Sequence, residues 1–225
     1  MIKFLIGIIP NSLKRKIYYW FLPFFKEKNR MDSESMPRYS LRPEMLEHAR
    51  LLVNRDELLK LLPKHGIVAE LGVDEGHFSE HILSITEPQK LHLVDIWADG
   101  RYNKSKQKAV TQKFANEINS GKVQIDIGLS TEAVHRIPDN YFDWIYIDTN
   151  HTYQTTIQEL EAYQSKMKPE GIIAGHDFII GNWNGIFKYG VIEAVYEFCT
   201  KYNWEFLYLT MEIDNHPSFA IRKIF

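Results

Sequence analysis

The chain has 225 residues, 44% apolar and 13% aromatic, which suffices for one α/β domain with a substantial core, is too short for two ordinary domains and excludes disorder over most of its length. A single cysteine, Cys199, excludes an internal disulfide framework and multi-cysteine metal sites, and fits a reducing, cytoplasmic compartment. With 27 basic and 29 acidic side chains the net charge is -2, so the global basic field of a nucleic-acid binder is missing and nucleic acid is not an expected partner.

Charge is concentrated at the start. Residues 1–30 hold seven basic side chains and one acidic, so 7 minus 1 gives +6 there and leaves -8 for the rest. The apolar runs 4–9 and 17–25 are far shorter than the roughly 20 residues a membrane-spanning helix needs, and Pro10 and Pro23 interrupt them. No small-residue cleavage site follows the first run, which argues against a signal peptide. Mixed with Tyr18, Tyr19, Trp20 and Phe21, the segment reads either as a peripheral contact with the inner face of an anionic membrane or as a helical arm packed on the domain or on a second subunit of a homo-oligomer. Both readings stay open. Residues 31–42, with Pro37, read as a linker. Arm and linker thus occupy 1–42, ahead of a domain over 43–225.

Pro43 and the helical spacing of Met45, Leu46, Ala49, Leu52 and Val53 predict a helix over 43–62, interrupted near Asn54 and ended by Pro63. Short apolar runs at 67–71, 91–95, 123–127, 144–148 and 172–174 read as buried strands. Helices are predicted between them near 75–86, 104–119, 130–136 and 153–167. A loop rich in Gly, Asn and Trp follows Phe178, then a helix over 190–202 and a terminal hairpin of 205–210 and 218–224. This alternation specifies an α/β fold, a doubly wound, mostly parallel seven-stranded sheet of Rossmann-like type closed by an antiparallel hairpin.

Ligands of such sheets bind at the carboxyl ends of the strands. The first parallel strand runs into Glu70-Leu71-Gly72-Val73-Asp74-Glu75-Gly76, and nineteen residues after Gly76 the next strand ends in Asp95, suited to a ribose diol. A dinucleotide fingerprint starting at Gly72 would need glycines at 74 and 77, where Asp74 and His77 stand; Glu70 suits a cationic amino-acid and sulfonium ligand. Residues 67–95 resemble motifs I and II of class I S-adenosylmethionine-dependent methyltransferases. The resemblance implies that Gly72 and Gly76 flank the methionine moiety, that Asp95 holds the ribose, and that Ile96 and Trp97 cover adenine. Ser130, in Gly128-Leu129-Ser130-Thr131, falls in a segment that closes over adenine in related O-methyltransferases.

Two later strands each end in an Asp/His pair, Asp148 with His151 and His176 with Asp177. As neighbours in the sheet they would converge beside the transferred methyl group. Asp148 and Asp177 suit a hard cation, and His151 suits a general base for an alcohol; each alone is also an ordinary helix cap or surface histidine. Residues 142–178 resemble the metal-dependent sugar O-methyltransferases of macrolide and surface-polysaccharide pathways, and more distantly catechol O-methyltransferase. That implies Asp148 as a metal ligand, His151 as the base, and His176 and Asp177 as the second metal pair. The family's second pair is acidic in both positions, whereas the imidazole of His176 suits Mg²⁺ poorly and Mn²⁺, Fe²⁺ or Zn²⁺ better; the expected cofactor is a divalent cation, Mg²⁺ or Mn²⁺. The remaining histidines, His216 and His92 among them, show no convergent spacing and read as solvated. The expected acceptor is a sugar hydroxyl, on a nucleotide sugar or surface glycan; a phenolic acceptor, or a non-catalytic binding subunit of the same fold, are the alternatives.

Overall fold

A computed structural model describes residues 10–98, 100–182, 187–212 and 216–225. The apolar run 4–9 and residues 183–186 of the Gly/Asn/Trp loop lie outside them. The elements in chain order are α1 (Asn11–Ser35), β1 (Arg50–Leu52), α2 (Arg55–Leu61), β2 (Ile67–Leu71), α3 (His77–Thr86), β3 (Lys90–Asp95), α4 (Lys104–Lys113), α5 (Ala115–Asn119), β4 (Val123–Ile127), α6 (Ser130–Ala133), β5 (Phe142–Ile147), α7 (Tyr153–Tyr163), β6 (Met167–Gly175), α8 (Val191–Tyr202), β7 (Trp204–Thr210) and β8 (Phe219–Lys223). The strands form one sheet in the order β1-β7-β8-β6-β5-β2-β3-β4. All neighbours pair parallel except β8, which runs antiparallel to both β6 and β7.

Side chains alternate across this sheet, because successive strand residues point to opposite faces. Ala69, Leu71, Ile145, Ile147 and Ile173 enter one buried cluster with Leu160 of α7 and Phe198 of α8. Val68, Trp144, Tyr146, Ile172 and Ala174 enter the other, with Leu59 of α2, Ile82 of α3 and Val110 of α4. Both faces are therefore covered, which is why β2 and β5 read in sequence as largely apolar runs, interrupted only by Glu70 and Asp143.

The sheet has eight strands rather than seven. Residues 50–52, expected within a helix over 43–62, pair instead with Tyr208, Leu209 and Thr210 at the sheet edge. Tertiary pairing overrides a local helical pattern here, leaving a short 3₁₀ turn at Pro43–Leu46. Asn54, the expected interruption, is the N-cap of α2, its side-chain oxygen accepting from the Glu57 amide at 2.9 Å. The expected linker also differs: α1 continues to Ser35, held by Arg30 pairing with Glu27 and Glu34 and Lys28 with Asp32 at one-turn spacing. Among the described residues no helix is long and apolar enough to cross a membrane.

Three backbone bonds fasten the strand ends that matter. Gly72 N–H donates to Val94 C=O at 2.8 Å, Asp148 N–H to Leu71 C=O at 2.7 Å, and His176 N–H to Ile147 C=O at 2.9 Å. The carboxyl ends of β3, β2, β5 and β6 thus sit side by side in register.

Candidate active site

The turn after β2 is built around Gly72. Its φ is +86°, and a Cβ placed there would stand 2.0 Å from the Asp148 carbonyl oxygen, so only glycine lets this turn lie against the end of β5. Asp95 braces the same turn from β3. Its carboxylate accepts from the amides of Val73 at 2.8 Å and Asp74 and Trp97 at 3.0 Å each. A carboxylate has about four acceptor positions, so one stays available toward the cavity that Asp95 lines. That cavity holds about 450 Å³ and is lined by Gly72, Asp95, Ile96, Ser130, Asp148 and His151.

Three of the residues expected against the cofactor lie elsewhere. Trp97 is 1% exposed and belongs to the core; its indole N–H donates to the Asp74 carbonyl at 3.0 Å, so it ties down the turn from below instead of covering adenine. Gly76 faces Phe114 and Val110, a packing contact that only a hydrogen in place of Cβ permits. Glu70 is buried under the turn and accepts a hydrogen bond from Ser79. Burial pushes its carboxyl up to about 8 against that bond, which favours a neutral acid over a counter-charge for a cationic ligand. Ile96 and Ser130 do line the cavity, and the Ser130 hydroxyl donates to Glu159.

The two Asp/His pairs converge. Ligand atoms of Asp148, His151 and Asp177 all lie within 4.8 Å of one another, the group among the described residues with metal-binding spacing. His151 Nδ1 stands 2.6 Å from Asp177 Oδ2, while His176 Nδ1 lies 3.5 Å from a carboxylate oxygen of both Asp148 and Asp177. The donor set thus differs from the expected one: His151 takes the place in the converging triad that the sequence reading gave to His176. His176 is buried, and its Nε2 has no hydrogen-bond partner. Burial alone would lower its pKa; hydrogen bonds and charge from Asp148 and Asp177 instead push it up to about 9. Burial works the other way on Asp177, and hydrogen bonds from His151 and His176 hold that carboxyl far below its ordinary range. Asp177 adopts φ +57°, a left-handed conformation costing a non-glycine residue about 1–2 kcal/mol, and it swings the carboxylate back beside His151. Two carboxylates with imidazole nitrogen form a mixed oxygen and nitrogen set that fits a divalent cation, and Mn²⁺ better than Mg²⁺.

His216, read as solvated, instead donates through Nδ1–H to the Asp177 carboxylate and stacks on His176 with ring centroids 6.1 Å apart. It enters from the loop between β7 and β8, so no local spacing announced it. His92 is buried and bonded to Asp126 at 2.8 Å, away from the site. Glu159 of α7 was likewise missed. It accepts from Ser130 and from Thr149 at 2.8 Å, joining two walls of the cavity, and burial pushes it up to about 7. Beyond His151 a second, wider cavity of about 820 Å³ opens, lined by Arg101, Tyr153 and Tyr189 and, from α1, by Lys28 and Asp32. The His151 ring leans on Tyr189, centroids 4.6 Å apart, and borders both cavities.

Residues 69–178 match the family model described as a methyltransferase domain. No curated protein matches the sequence. Among solved structures, a Clostridium thermocellum protein assigned as an rRNA methylase is similar at TM-score 0.56 and 16% identity, over 76% of this chain and 95% of that one. A SAM-dependent methyltransferase from Aquifex aeolicus gives 0.55 and 14% over 80% and 93%, and a Streptococcus mutans protein assigned as a methyltransferase, in complex with SAH, gives 0.54 and 14% over 82% and 99%. The fold is the Rossmann-like fold of class I methyltransferases, and with the family match it supports methylation that uses S-adenosylmethionine.

Proposed function

We propose that the chain is an S-adenosylmethionine-dependent O-methyltransferase, metal-assisted, whose acceptor is a sugar hydroxyl on a nucleotide sugar or a surface glycan. One observation carries this reading: His151 borders both the cavity at the glycine turn and the wider cavity beyond it, with Nδ1 against Asp177. The smaller cavity is the place for the methyl donor, with Asp95 toward its ribose. The wider one, with Arg101, Lys28, Tyr153 and Tyr189 in its wall, suits a polar acceptor larger than a catechol ring.

In this reading His151 Nδ1–H donates to Asp177, which orients the ring and leaves Nε2 as the acceptor of a proton, the same logic by which a carboxylate fixes the tautomer of a catalytic histidine. The acceptor oxygen forms its bond to the methyl carbon as the carbon–sulfur bond breaks. The hydroxyl proton passes to His151 Nε2, and S-adenosylhomocysteine leaves neutral at sulfur. Positive charge therefore moves from sulfonium to imidazolium, where Asp177 stabilises it. Asp148 and Asp177 would hold a divalent cation, whose contribution is to lower the hydroxyl pKa.

Incubation with S-adenosylmethionine and a panel of nucleotide sugars, glycan fragments and catechols, read by mass spectrometry, tests the assignment. The expected result is a gain of one methyl group on a sugar. General-base catalysis typically supplies about 10² to 10⁴ in rate, so His151→Ala should lower kcat by that order with donor affinity unchanged in calorimetry. Turnover of the variant within a few-fold of wild type would remove His151 as the base, and methylation confined to catechols would remove the sugar acceptor.

A further inference from the structure

The two halves of α1 differ in kind. From Glu27 to Glu34 its charges are paired, Lys28 with Asp32 at 2.5 Å and Arg30 with Glu27 and Glu34 at 2.6 Å each, and this end contributes Lys28 and Asp32 to the wall of the wide cavity. Residues 11–26 carry Lys14, Arg15, Lys16 and Lys26 and no acidic side chain. In the same half Leu13, Ile17, Trp20, Phe21 and Phe24 follow one another at i, i+4, i+7, i+8 and i+11, which at 3.6 residues per turn makes a single stripe roughly 100° wide. All five are exposed, Trp20 at 76% and Phe24 at 64%. No residue of α1 is buried. At 100° per residue Lys14 and Lys16 fall on opposite flanks of the stripe.

We propose that residues 11–26 dock in the plane of an anionic lipid bilayer surface, with the Leu13–Phe24 stripe in the interface and the flanking lysines at the headgroups. A helix with an apolar aromatic stripe edged by cations has the design of an interfacial anchor, and Trp is the side chain best suited to the boundary between headgroup and acyl chain. Charge selects lipid over a second copy of the chain. Packing two such helices stripe to stripe brings the flanking Lys14 and Lys16 of each against those of the other, whereas anionic headgroups neutralise them. Pro23 lacks the N–H that would bond the Tyr19 carbonyl, which loosens one turn within the docking half. Trp20 and Asp32 are twelve residues apart, about 18 Å along a helix. The wide cavity would accordingly open close to the headgroups, within reach of an acceptor displayed on the same surface.

Flotation of the full chain with vesicles tests this, using phosphatidylcholine alone and phosphatidylcholine mixed with phosphatidylglycerol, each at low and high salt. Binding to the anionic vesicles alone is expected, and its loss at high salt, since exposed charges are screened beyond about 8–10 Å. Lys14→Gln with Lys16→Gln should weaken partition about 30-fold, and Trp20→Ser with Phe24→Ser roughly tenfold or more, while both keep the wild-type thermal midpoint and donor affinity. Failure of the wild type to float with anionic vesicles, equal binding to neutral ones, or equal partition of wild type and variants would overturn the proposal. So would a dimer that dissociates in the Trp20→Ser/Phe24→Ser variant without any lipid binding by the wild type, which assigns the stripe to a second copy.

Discussion

Replacing Gly72 by alanine should separate two costs that usually arrive together. The first is conformational: at φ +86° an L-residue carries a penalty of about 1–2 kcal/mol. The second is steric. The new methyl would stand 2.0 Å from the Asp148 carbonyl oxygen and 2.6 Å from its carbon, both backbone atoms that cannot rotate away, so the end of β5 must move and about 1–3 kcal/mol of overpacking is added. Gly121 isolates the first cost, because its φ is +78° and a Cβ there meets nothing within 4 Å. Gly121→Ala should therefore lose about 1–2 kcal/mol and Gly72→Ala about 2–5. For a domain of this size that corresponds to a further fall in Tm of about 2–4 °C for each kcal/mol of difference. Urea denaturation followed by circular dichroism measures both. Equal losses within about 0.5 kcal/mol would refute the claim that the glycine turn is pressed against β5. Because the displaced carbonyl belongs to Asp148, Gly72→Ala should also disturb the carboxylate cluster while Gly121→Ala leaves it alone.

Asp95→Ala should weaken S-adenosylmethionine binding by about 1–3 kcal/mol in calorimetry, since a ribose hydroxyl and the three backbone amides it now serves lose their acceptor; unchanged affinity would leave Asp95 as a turn brace alone. For Glu70 the folded pKa of about 8 lies above the ordinary value of 4.5, so the native state holds a proton that the unfolded chain has released. Stability from this group is present below pH 4.5 and falls as pH rises toward 8, with a slope of up to about 1.4 kcal/mol per pH unit. Glu70→Gln should flatten that decline in denaturation curves taken across the window, and parallel curves for the two proteins would contradict it. Turnover should stop in chelator and return when Mg²⁺ or Mn²⁺ is added back; full activity in chelator would reassign Asp148 and Asp177 to orienting His151 and the acceptor.

Strands β2, β3, β5 and β6 were legible because a sheet covered on both faces demands short, largely apolar runs, and those runs end at residues whose chemistry is conspicuous. Asp148, His151 and Asp177 could be assembled on paper because neighbouring parallel strands put their carboxyl ends together. What stayed hidden depends on contacts made at a distance. β1 has a helical pattern and becomes a strand only because β7 offers it an edge. Trp97 looked like a lid for adenine, yet φ +39° turns it inward onto the Asp74 carbonyl. His216 reaches Asp177 from 39 positions away, and Glu159 looks in sequence like one more polar residue on an amphipathic helix, although it is fully buried between Ser130 and Thr149.

The last strand of the sheet is not at its margin. β8 lies between β6 and β7, and Phe219 fills the space that a side chain on Gly175 would need. During synthesis the eight-stranded sheet cannot close until residue 223 has cleared the ribosome, so β6 waits with one edge unpaired and β1 with β7 has nothing to dock on. The nascent chain can assemble the cofactor half, β2 to β5, well before it can assemble the half that carries His216. A stop codon that removed β8 alone would then yield something more specific than a shortened enzyme: a chain with two exposed strand edges in mid-sheet, open to pairing with a second chain in the same state.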